Sequence, residues 1–350
     1  MRDVRRPIHA LLAICLAWLL AAFIGACKQG GIDRDDGGGA DQGGQDGSDD
    51  GGAGDGGDDN SPGQDDGGAS DDGQSDDGGD SGGDAVDPIG SDGAVDIAAW
   101  NIENFPADGN TPSVVADLIT SLGLDLIAVE EIADEDAWGE LLSLVPDYRG
   151  LLSVHEYSPG NYQKVGYIYR ADVVEVDPQD LLFQDDTFQF PRPPFQVGVT
   201  VPDAAGGAVE FTAIVVHLKA GTATEDRQRR HDAMITLEQH VRQLVDGGAD
   251  KVVVLGDYNE ILTSQAGRDV FAPFLAAPDR YAVQTDDLAQ GGAFTFVPTG
   301  RMLDHIVTTS GFAADVGDSE PVIPRLDLEV SDYVDRVSDH LPVALSLPIL

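Results

Sequence analysis

Residues 94–350 alternate between short apolar runs and longer amphipathic stretches. Short apolar runs that are rich in β-branched side chains and bounded by polar or turn residues indicate strands. The predicted strands are AVDIAAWNI (94–102), LDLIAVEEI (124–132), KVGYIYR (164–170), PFQVGVTVP (194–202), VEFTAIVVHLK (209–219), KVVVLGDYN (251–259), AFTFVP (293–298), MLDHIVTT (302–309) and HLPVALSLP (340–348).

Three stretches predict helices, at 113–123, 135–145 and 224–244. The first opens after Thr111-Pro112 and closes at Gly123, because proline suits the first helical position and glycine the position after the last turn. A turn at Ala205-Gly206-Gly207 joins two of the strands. Many strands with few interleaved helices predict an α+β fold with two packed mixed sheets and helices outside. No second linker interrupts 94–350, so we expect one domain there.

The first 27 residues have the form of an export signal. Three arginines precede an apolar run from 11 to 24, which is shorter than the ~20 residues of a membrane span. The run ends in IGAC, which resembles the lipobox of bacterial lipoproteins. The resemblance implies cleavage before Cys27 and lipidation of that cysteine. The protein would then be exported and bound to the membrane by this anchor only. The outer membrane or cell surface is favoured, because Lys28 follows the cysteine in place of the aspartate associated with inner-membrane retention. An ordinary signal peptide and an uncleaved anchor are the alternatives.

Residues 28–93 consist almost entirely of Gly, Asp, Ser and Gln. Such a segment has too little apolar surface to offset chain entropy, and its like charges keep it extended. We predict a disordered acidic tether with a coil dimension of roughly 40 to 50 Å. It lacks a fixed nonapeptide period, which argues against a calcium-binding repeat. The only cysteine besides Cys27 is Cys15 in the signal, so the domain must be stabilised by its core rather than by a disulfide.

The domain itself is strongly acidic. Residues 94–350 contain 42 acidic and 15 basic side chains, a formal charge of −27. This charge opposes indiscriminate binding to nucleic-acid backbones. A nuclease would need a metal cation and a few local basic groups to offset the repulsion near its site.

Polar side chains recur at the ends of the apolar strands, where a hydrophobic core has no use for them. Each one alone has a structural explanation as a turn, cap or core residue, but their recurrence predicts a shared site. The residues are Asn101, Glu131, His217, Asp257, Asn259, Asp304, Asp339 and His340.

These segments, in this order, resemble the motifs of the endonuclease/exonuclease/phosphatase superfamily over essentially all of 94–350. The matches are Asn101 in AAWNIENF, Glu131 in AVEEI, His217 in VVHLKAG, GDYN at 256–259, Asp304 in LDHI and Ser338-Asp339-His340. The segments HLKAG, GDYN and LDHI, with the arginine-rich helix after the first, look most like extracellular bacterial nucleases of this superfamily.

The resemblance implies a four-layer sandwich with its active site along one edge of the sheets, and a divalent metal cofactor. Asn101, Glu131 and Asp339 are the expected metal-binding residues. Their oxygen atoms suit a hard cation, Mg²⁺ first, with Mn²⁺ and Ca²⁺ as alternatives. Residues 94–350 contain no cysteine and no close histidine pair, which argues against a dedicated zinc site.

Phosphodiester hydrolysis requires a deprotonated water, stabilised phosphoryl oxygens and a neutralised leaving oxygen. We assign Asp257 and an Asp304–His340 pair to acid–base work, and Asn259 and His217 to the phosphoryl oxygens. Which group takes the proton of the water stays open.

Further residues extend or modify this site. Arg192 in FPRPPF and Lys219 in HLKAG are predicted to contact substrate phosphate. Glu103 is either a second metal-associated acid or a surface residue. Gln163 stands where pancreatic-type deoxyribonucleases have a glutamate that pairs with the central histidine, which favours oxyanion binding over acid–base work for His217.

Two enzymatic functions and one binding function fit these observations. The first is an envelope-tethered nuclease. The second is a phosphatase or phosphodiesterase acting on small molecules or lipid head groups. Inositol polyphosphate phosphatases are disfavoured, because Leu255 and Glu260 flank GDYN where they have Trp and Arg. A non-catalytic surface module would be expected to lose some of the acids and histidines, and none is missing. No obligate protein partner is inferred.

Overall fold

Two mixed β-sheets packed face to face form the centre of the computed structural model, which describes residues 88–91, 93–202 and 207–349. The predicted signal peptide, Cys27 and the predicted tether as far as residue 87 lie outside the described residues. The first sheet contains, in spatial order, β11 (Val343–Leu347), β1 (Val95–Phe105), β2 (Leu126–Ile132), β4 (Lys164–Arg170) and β3 (Tyr148–Leu152). The second contains β5 (Glu175–Leu181), β6 (Phe195–Pro202), β7 (Ala208–His217), β8 (Val252–Asp257), β10 (Asp304–Thr309) and β9 (Tyr281–Val283).

Helices lie on the outer faces of the sheets. They are α1 (Thr111–Leu122), α2 (Glu135–Leu144), α3 (Thr224–Asp246), α4 (Gln265–Leu275), α5 (Asp286–Gln290), α6 (Ala313–Val316), α7 (Leu326–Glu329) and α8 (Tyr333–Arg336), with 3₁₀ turns at Val297–Thr299 and Ser310–Phe312. α1 begins at Thr111 with Pro112 in its first turn, and Gly123 ends it in the left-handed conformation that glycine tolerates. Among the described helices, none is long and apolar enough to cross a membrane.

Two apolar clusters hold these layers together. One fills the space between the sheets and continues beneath α3 and α4. The other lies between the outer face of the first sheet and α1, α2 and the short helices near the C-terminus, around the buried ring of Trp100. The α+β fold with two mixed sheets between helices, predicted from the sequence, is confirmed.

The element predictions hold for the long apolar strands and fail where the pattern is weak. AFTFVP is not a strand: it forms isolated bridges and a 3₁₀ turn, because the chain reverses at Pro298 and Gly300. β3, β5, β9 and α4 were missed, and β5 is largely exposed, so it has no apolar alternation to detect. β6 and β7 pair as far as Pro202 and Ala208, but four residues of the predicted connecting segment (203–206) lie outside the described residues.

The described residues begin slightly before the predicted domain boundary. Ile89 and Gly90 donate backbone hydrogen bonds to the carbonyl of Leu122 at the end of α1, at 3.0 and 2.9 Å. A side chain at Gly90 would collide with the Gly123 carbonyl oxygen, since its Cβ would lie 2.0 Å away. The last residues assigned to the tether therefore pack against the domain.

Candidate active site

Strand topology brings the predicted polar side chains to one edge of the two sheets. β1 is parallel to β2 and β7 is parallel to β8, so the carboxyl ends of these strands lie together. β10 runs antiparallel to β8 and β11 antiparallel to β1, which places their first residues at the same edge. In the second sheet, Asp257 is paired with His217 on one side and with Asp304 on the other. The strand ends at which the sequence predicted a shared site therefore meet at one edge of the sheets.

Asp304 and His340 form a buried hydrogen-bonded pair. The Nδ1 atom of His340 lies 2.7 Å from Oδ2 of Asp304, and the two side chains are 6% and 0% exposed. Burial opposes charge on the ring, but the charge and hydrogen bond of Asp304, with Asp257 and Asp339 nearby, raise the pKa of His340 to about 10. The imidazole is therefore protonated at neutral pH and can donate a proton from Nε2.

Backbone contacts hold His340 in place from the first sheet. Its amide donates to the Ser338 hydroxyl at 2.9 Å, and that hydroxyl donates to the carbonyl of Asn101 at 2.7 Å. The His340 carbonyl accepts from the hydroxyl of Tyr333 at 2.6 Å and from the indole of Trp100 at 3.3 Å. The Ser-Asp-His segment is thus tied to β1, which carries Asn101.

Asn101 connects the two sheets through its amide. The amide nitrogen donates to Glu131 Oε1 and to Asp257 Oδ2, both at 3.1 Å, and its oxygen accepts from the backbone of Glu103 at 3.0 Å. Glu131 has a positive φ of 63° where the pairing of β2 is irregular, which turns its side chain towards the cleft while Glu130 stays fully buried between the sheets. Asn101 therefore holds two carboxylates in position, and its role as a metal ligand stays a prediction.

The GDYN segment folds back on itself at the end of β8. The backbone and side-chain nitrogens of Asn259 donate to the carboxylate of Asp257 at 2.7 and 3.0 Å. Gly256 has a φ of +139°, and a Cβ there would lie 2.1 Å from the Val216 carbonyl oxygen. Only glycine fits this close approach of β7 and β8, so the turn keeps Asp257 and Asn259 aimed at the cleft.

Arg192 is a buried cation that faces the cleft. It is 9% exposed, no carboxylate among the described residues forms an ion pair with it, and its Nε has no hydrogen-bond partner there. Its Nη2 lies 2.7 Å from Nε2 of His217. Because a guanidinium only donates, Nε2 accepts, and burial and the Arg192 charge hold the pKa of His217 well below its usual value. His217 is thus a neutral support beneath Arg192. A buried guanidinium without a counterion favours an anionic ligand.

The acidic groups are crowded in a way that fits a divalent cation. Burial, with the charge of Asp304, raises the pKa of Asp257 to about 7. Burial raises that of Asp339 to about 6, opposed by His340 and reinforced by Glu103 and Glu131. Converging carboxylates of this kind are stabilised in their charged form by a hard cation.

Asp257, Asp304 and His340 form a second group whose ligand atoms lie within 4.8 Å of one another. A protonated imidazole that is bonded to Asp304 has no lone pair to offer a metal. We therefore favour the cleft-facing carboxylates Glu131 and Asp339, with Asp257 adjacent, as the metal-binding residues.

A cleft of about 450 Å³ opens over this edge. Six of the predicted site residues line it: Glu131, Arg192, Asp257, Asn259, Asp339 and His340. Asn101, His217 and Asp304 lie directly beneath, each 1% exposed or less. A second cleft of about 460 Å³ lies at the opposite ends of β7 and β8, and its lining includes no histidine.

Three further residues considered in the sequence analysis, and two that it missed, have the following contacts. Gln163 lines the cleft and donates to Glu131 Oε2 at 3.1 Å, so it contacts the glutamate rather than His217. Glu103 also lines the cleft, and its carboxylate accepts from the backbone of Asp339 at 3.0 Å. Lys219 is held by an ion pair with Asp226 at 3.2 Å. Phe296 and Arg301 line the cleft and were missed, because the strand predicted at 293–298 concealed a turn.

Comparisons with known proteins agree with this geometry. The model of the Endonuclease/Exonuclease/phosphatase family matches residues 98–340. Comparison with curated proteins finds no match.

Solved structures show the same fold at low sequence identity. The catalytic domain of human nocturnin, with a bound sulfate anion, has a TM-score of 0.52 at 16% identity, covering 72% of this chain and 93% of that one. TDP2 from D. rerio, complexed with a single-strand DNA product, scores 0.53 at 12% identity, covering 73% and 99%. A mannosyl-6-phosphatase from Bacteroides thetaiotaomicron scores 0.51 at 13% identity, covering 72% and 98%. With the family match over 98–340, the chain belongs to the endonuclease/exonuclease/phosphatase family and is a hydrolase acting on phosphoester bonds.

Proposed function

We propose that this protein is a metal-dependent phosphodiester hydrolase whose substrate is a nucleic acid. The observation that carries the proposal is one cleft in which an unpaired buried arginine, a protonated histidine and a cluster of carboxylates converge. This combination supplies a phosphate contact, a proton donor and a cation site. TDP2, which shares the fold, was solved with a single-strand DNA product.

The residues of the cleft divide the work as follows. Arg192 and Asn259 hold non-bridging oxygens of the scissile phosphate, with His217 supporting Arg192 from beneath. Asp257 accepts the proton of the attacking water, for which a pKa of about 7 is suited. His340 donates its Nε2 proton to the leaving oxygen, and Asp304 fixes the ring through Nδ1.

Glu131 and Asp339 would hold the divalent cation, with Asn101 orienting Glu131. When bound, the cation polarises a phosphoryl oxygen and offsets the negative charge around it. Mg²⁺ is the first candidate, with Mn²⁺ and Ca²⁺ as alternatives, because the donor atoms are oxygens.

A second candidate is a phosphatase or phosphodiesterase that acts on small molecules or lipid head groups. The charge of −27 on residues 94–350 favours it, because a polyanion is repelled more strongly than a single phosphate. A mannosyl-6-phosphatase shares the fold.

A substrate panel separates the two candidates. Purified protein would be given plasmid DNA, RNA, nucleotides, sphingomyelin, inositol phosphates, 4-nitrophenyl phosphate and bis(4-nitrophenyl) phosphate, each with Mg²⁺, Mn²⁺ or Ca²⁺. Nuclease activity predicts that plasmid DNA or RNA and the diester are cleaved faster than the monoester. Preference for a monoester, with nucleic acids left intact, would refute the nuclease and favour the second candidate.

We further propose that the protein is exported and lipid-anchored at Cys27, with 28–87 as the tether between membrane and enzyme. The lipobox-like IGAC supports this proposal. The Cys27→Ser protein should no longer incorporate labelled fatty acid or partition into detergent. Retention of both properties would show that the anchor assignment is wrong.

A further inference from the structure

Residues 296–301 form a narrow hairpin at the rim of the cleft, called here the cleft hairpin. The backbone amide of Phe296 donates to the carbonyl of Arg301 at 2.8 Å, and the amide of Arg301 donates back at 3.3 Å. Gly300, with a φ of +61°, allows the reversal between them. Phe296 and Arg301 are therefore directly opposed partners.

The cleft hairpin is attached to the catalytic residues at several points. The amide of Val297 donates to the carbonyl of Asp339 at 2.9 Å, and Phe296 forms a bridge with His340. At its base, the hydroxyl of Thr295 accepts from the backbone of Asp304 at 3.2 Å. These bonds fix the position of the hairpin relative to the Asp304–His340 pair.

Directly opposed residues of an antiparallel pair project to the same face. Here that face is the cleft, since Phe296 and Arg301 both line it. The ring of Phe296 lies 5.0 Å from that of His340. The cleft hairpin therefore places the aromatic ring of Phe296 beside His340, the proposed proton donor, and the guanidinium of Arg301 next to that ring.

Arg301 differs from most other basic residues of the domain, because its side chain has no hydrogen-bond or ion-pair partner among the described residues. Among the fifteen Lys and Arg side chains of 94–350, all of them described, ten pair with carboxylates and Arg149, Arg229 and Arg336 bond backbone carbonyls. The two that remain are Arg192 and Arg301, and both line the cleft. In so acidic a domain, two cations without a counterion in one cleft point to two anionic groups on one ligand.

We infer that Arg301 is a specificity-determining residue that binds a second phosphate of the substrate, next to the scissile phosphate held by Arg192. Phe296 packs against the sugar or base between the two phosphates, because a ring face accepts any base. The inference rests on the proposed nuclease function and deepens it: the substrate is a nucleotide chain with adjacent phosphates rather than an isolated diester.

The test compares three dinucleotides as substrates: TpT, and its forms phosphorylated at the 5′ or the 3′ end. Products are separated by chromatography, and kcat and KM are obtained for the parent, Arg301→Ala, Arg301→Lys and Arg242→Ala. Arg242 is the matched control, because it is an exposed arginine on α3 that does not line the cleft.

The parent should cleave one phosphorylated form with a KM about tenfold below that of TpT, the lower range for a charge-assisted bond at an exposed arginine. Arg301→Ala should abolish this preference, Arg301→Lys should retain part of it, and Arg242→Ala should keep it. The preference should decrease as salt is added. Equal KM values for all three substrates in the parent, or equal losses on all three in Arg301→Ala, would overturn the inference and leave the nuclease intact.

Failure of the proposed function would give a different result. A parent enzyme that hydrolyses bis(4-nitrophenyl) phosphate but none of the dinucleotides is not a nuclease, and the assignment of Arg301 would fall with it. A binding measurement adds a readout independent of turnover: thymidine 3′,5′-bisphosphate should bind the parent about tenfold more tightly than thymidine 5′-monophosphate, and Arg301→Ala should remove the difference. Equal affinities of the parent for both nucleotides would also overturn the inference.

Discussion

Replacing His340 by alanine should remove most of the activity, and the size of the loss follows from its place in the cleft. General acid–base catalysis contributes about 10²- to 10⁴-fold, or roughly 3 to 5 kcal/mol of barrier. His340 has its Nδ1 occupied by Asp304 at 2.7 Å and lines the cleft, so Nε2 is the proton donor. We expect kcat on bis(4-nitrophenyl) phosphate to fall by at least the lower figure, measured at saturating Mg²⁺.

Asp304→Asn should be less severe and should change the pH profile. A rise in the pKa of His340 from 6.5 to about 10 corresponds to on the order of 5 kcal/mol in favour of the imidazolium. Asp304 supplies the largest favourable part, so its loss lets burial lower the pKa towards or below the usual range. Because the protonated form is active, activity is lost as pH rises through the pKa of His340. The alkaline limit of activity should therefore move to lower pH in Asp304→Asn.

The double variant tests whether the two residues act as a unit. An orienting carboxylate has nothing left to orient once the ring is gone, so Asp304→Asn with His340→Ala should be little worse than His340→Ala alone. Circular dichroism and thermal unfolding would control for misfolding, since both side chains are buried. Fully additive losses in correctly folded variants would mean that the residues act separately, and the pair would have to be abandoned.

Four further predictions follow from the described contacts. Glu130 is fully buried, and its carboxylate oxygens have no hydrogen-bond partner among the described residues. Burial, with the charges of Asp304 and Asp257, raises the pKa of Glu130 well above the ordinary value, so the native state keeps a proton that the unfolded chain loses. Glu130 therefore lowers the free energy of unfolding by about 1.4 kcal/mol for each pH unit above the ordinary pKa of a glutamate. Urea unfolding should show that Glu130→Gln is more stable than the parent at alkaline pH. The same pH dependence of stability in the variant and the parent would contradict this prediction. Arg192→Met should lower kcat/KM about 10-fold or more, because it removes a charge-assisted phosphate contact. It should not lower stability, because it also removes an uncompensated buried charge. A large fall in melting temperature would contradict this prediction. Chelation should abolish turnover and added Mg²⁺ or Mn²⁺ should restore it, so activity that survives exhaustive chelation would exclude the cation. Deleting 28–87 should leave turnover on a soluble substrate unchanged, since every assigned side chain lies at or after residue 101, and a loss without unfolding would place the acidic segment in the site.

The sequence determined the parts of this protein that depend on local chemistry. Long β-branched runs cannot remain exposed, so β1, β2, β7 and β8 could be assigned from apolar pattern alone, and Pro112 and Gly123 marked α1 closely. The polar residues at the ends of these runs were recognisable because a core excludes carboxylates and imidazoles unless they have partners. Asn101, Glu131, Asp257, Asp304 and His340 could therefore be proposed as site residues from the sequence, and the structure places them at one edge of the sheets.

The tertiary structure decided which of these groups touch, and which charges lack a counterion. Asp304 and His340 are 36 positions apart in the chain, and their 2.7 Å hydrogen bond exists only because β10 and β11 begin at the same edge of two different sheets. Arg192 and Lys219 were equivalent candidates in the sequence. In the structure Arg192 is buried with no carboxylate partner among the described residues, whereas Lys219 pairs with Asp226. The role of Arg301 was also hidden, since the apolar pattern at 293–298 resembles a strand. The structure has a hairpin at 296–301 instead, and only its long-range contacts with Asp339 and His340 place it at the cleft. Burial and pairing are properties of the whole packing, and a linear pattern records neither.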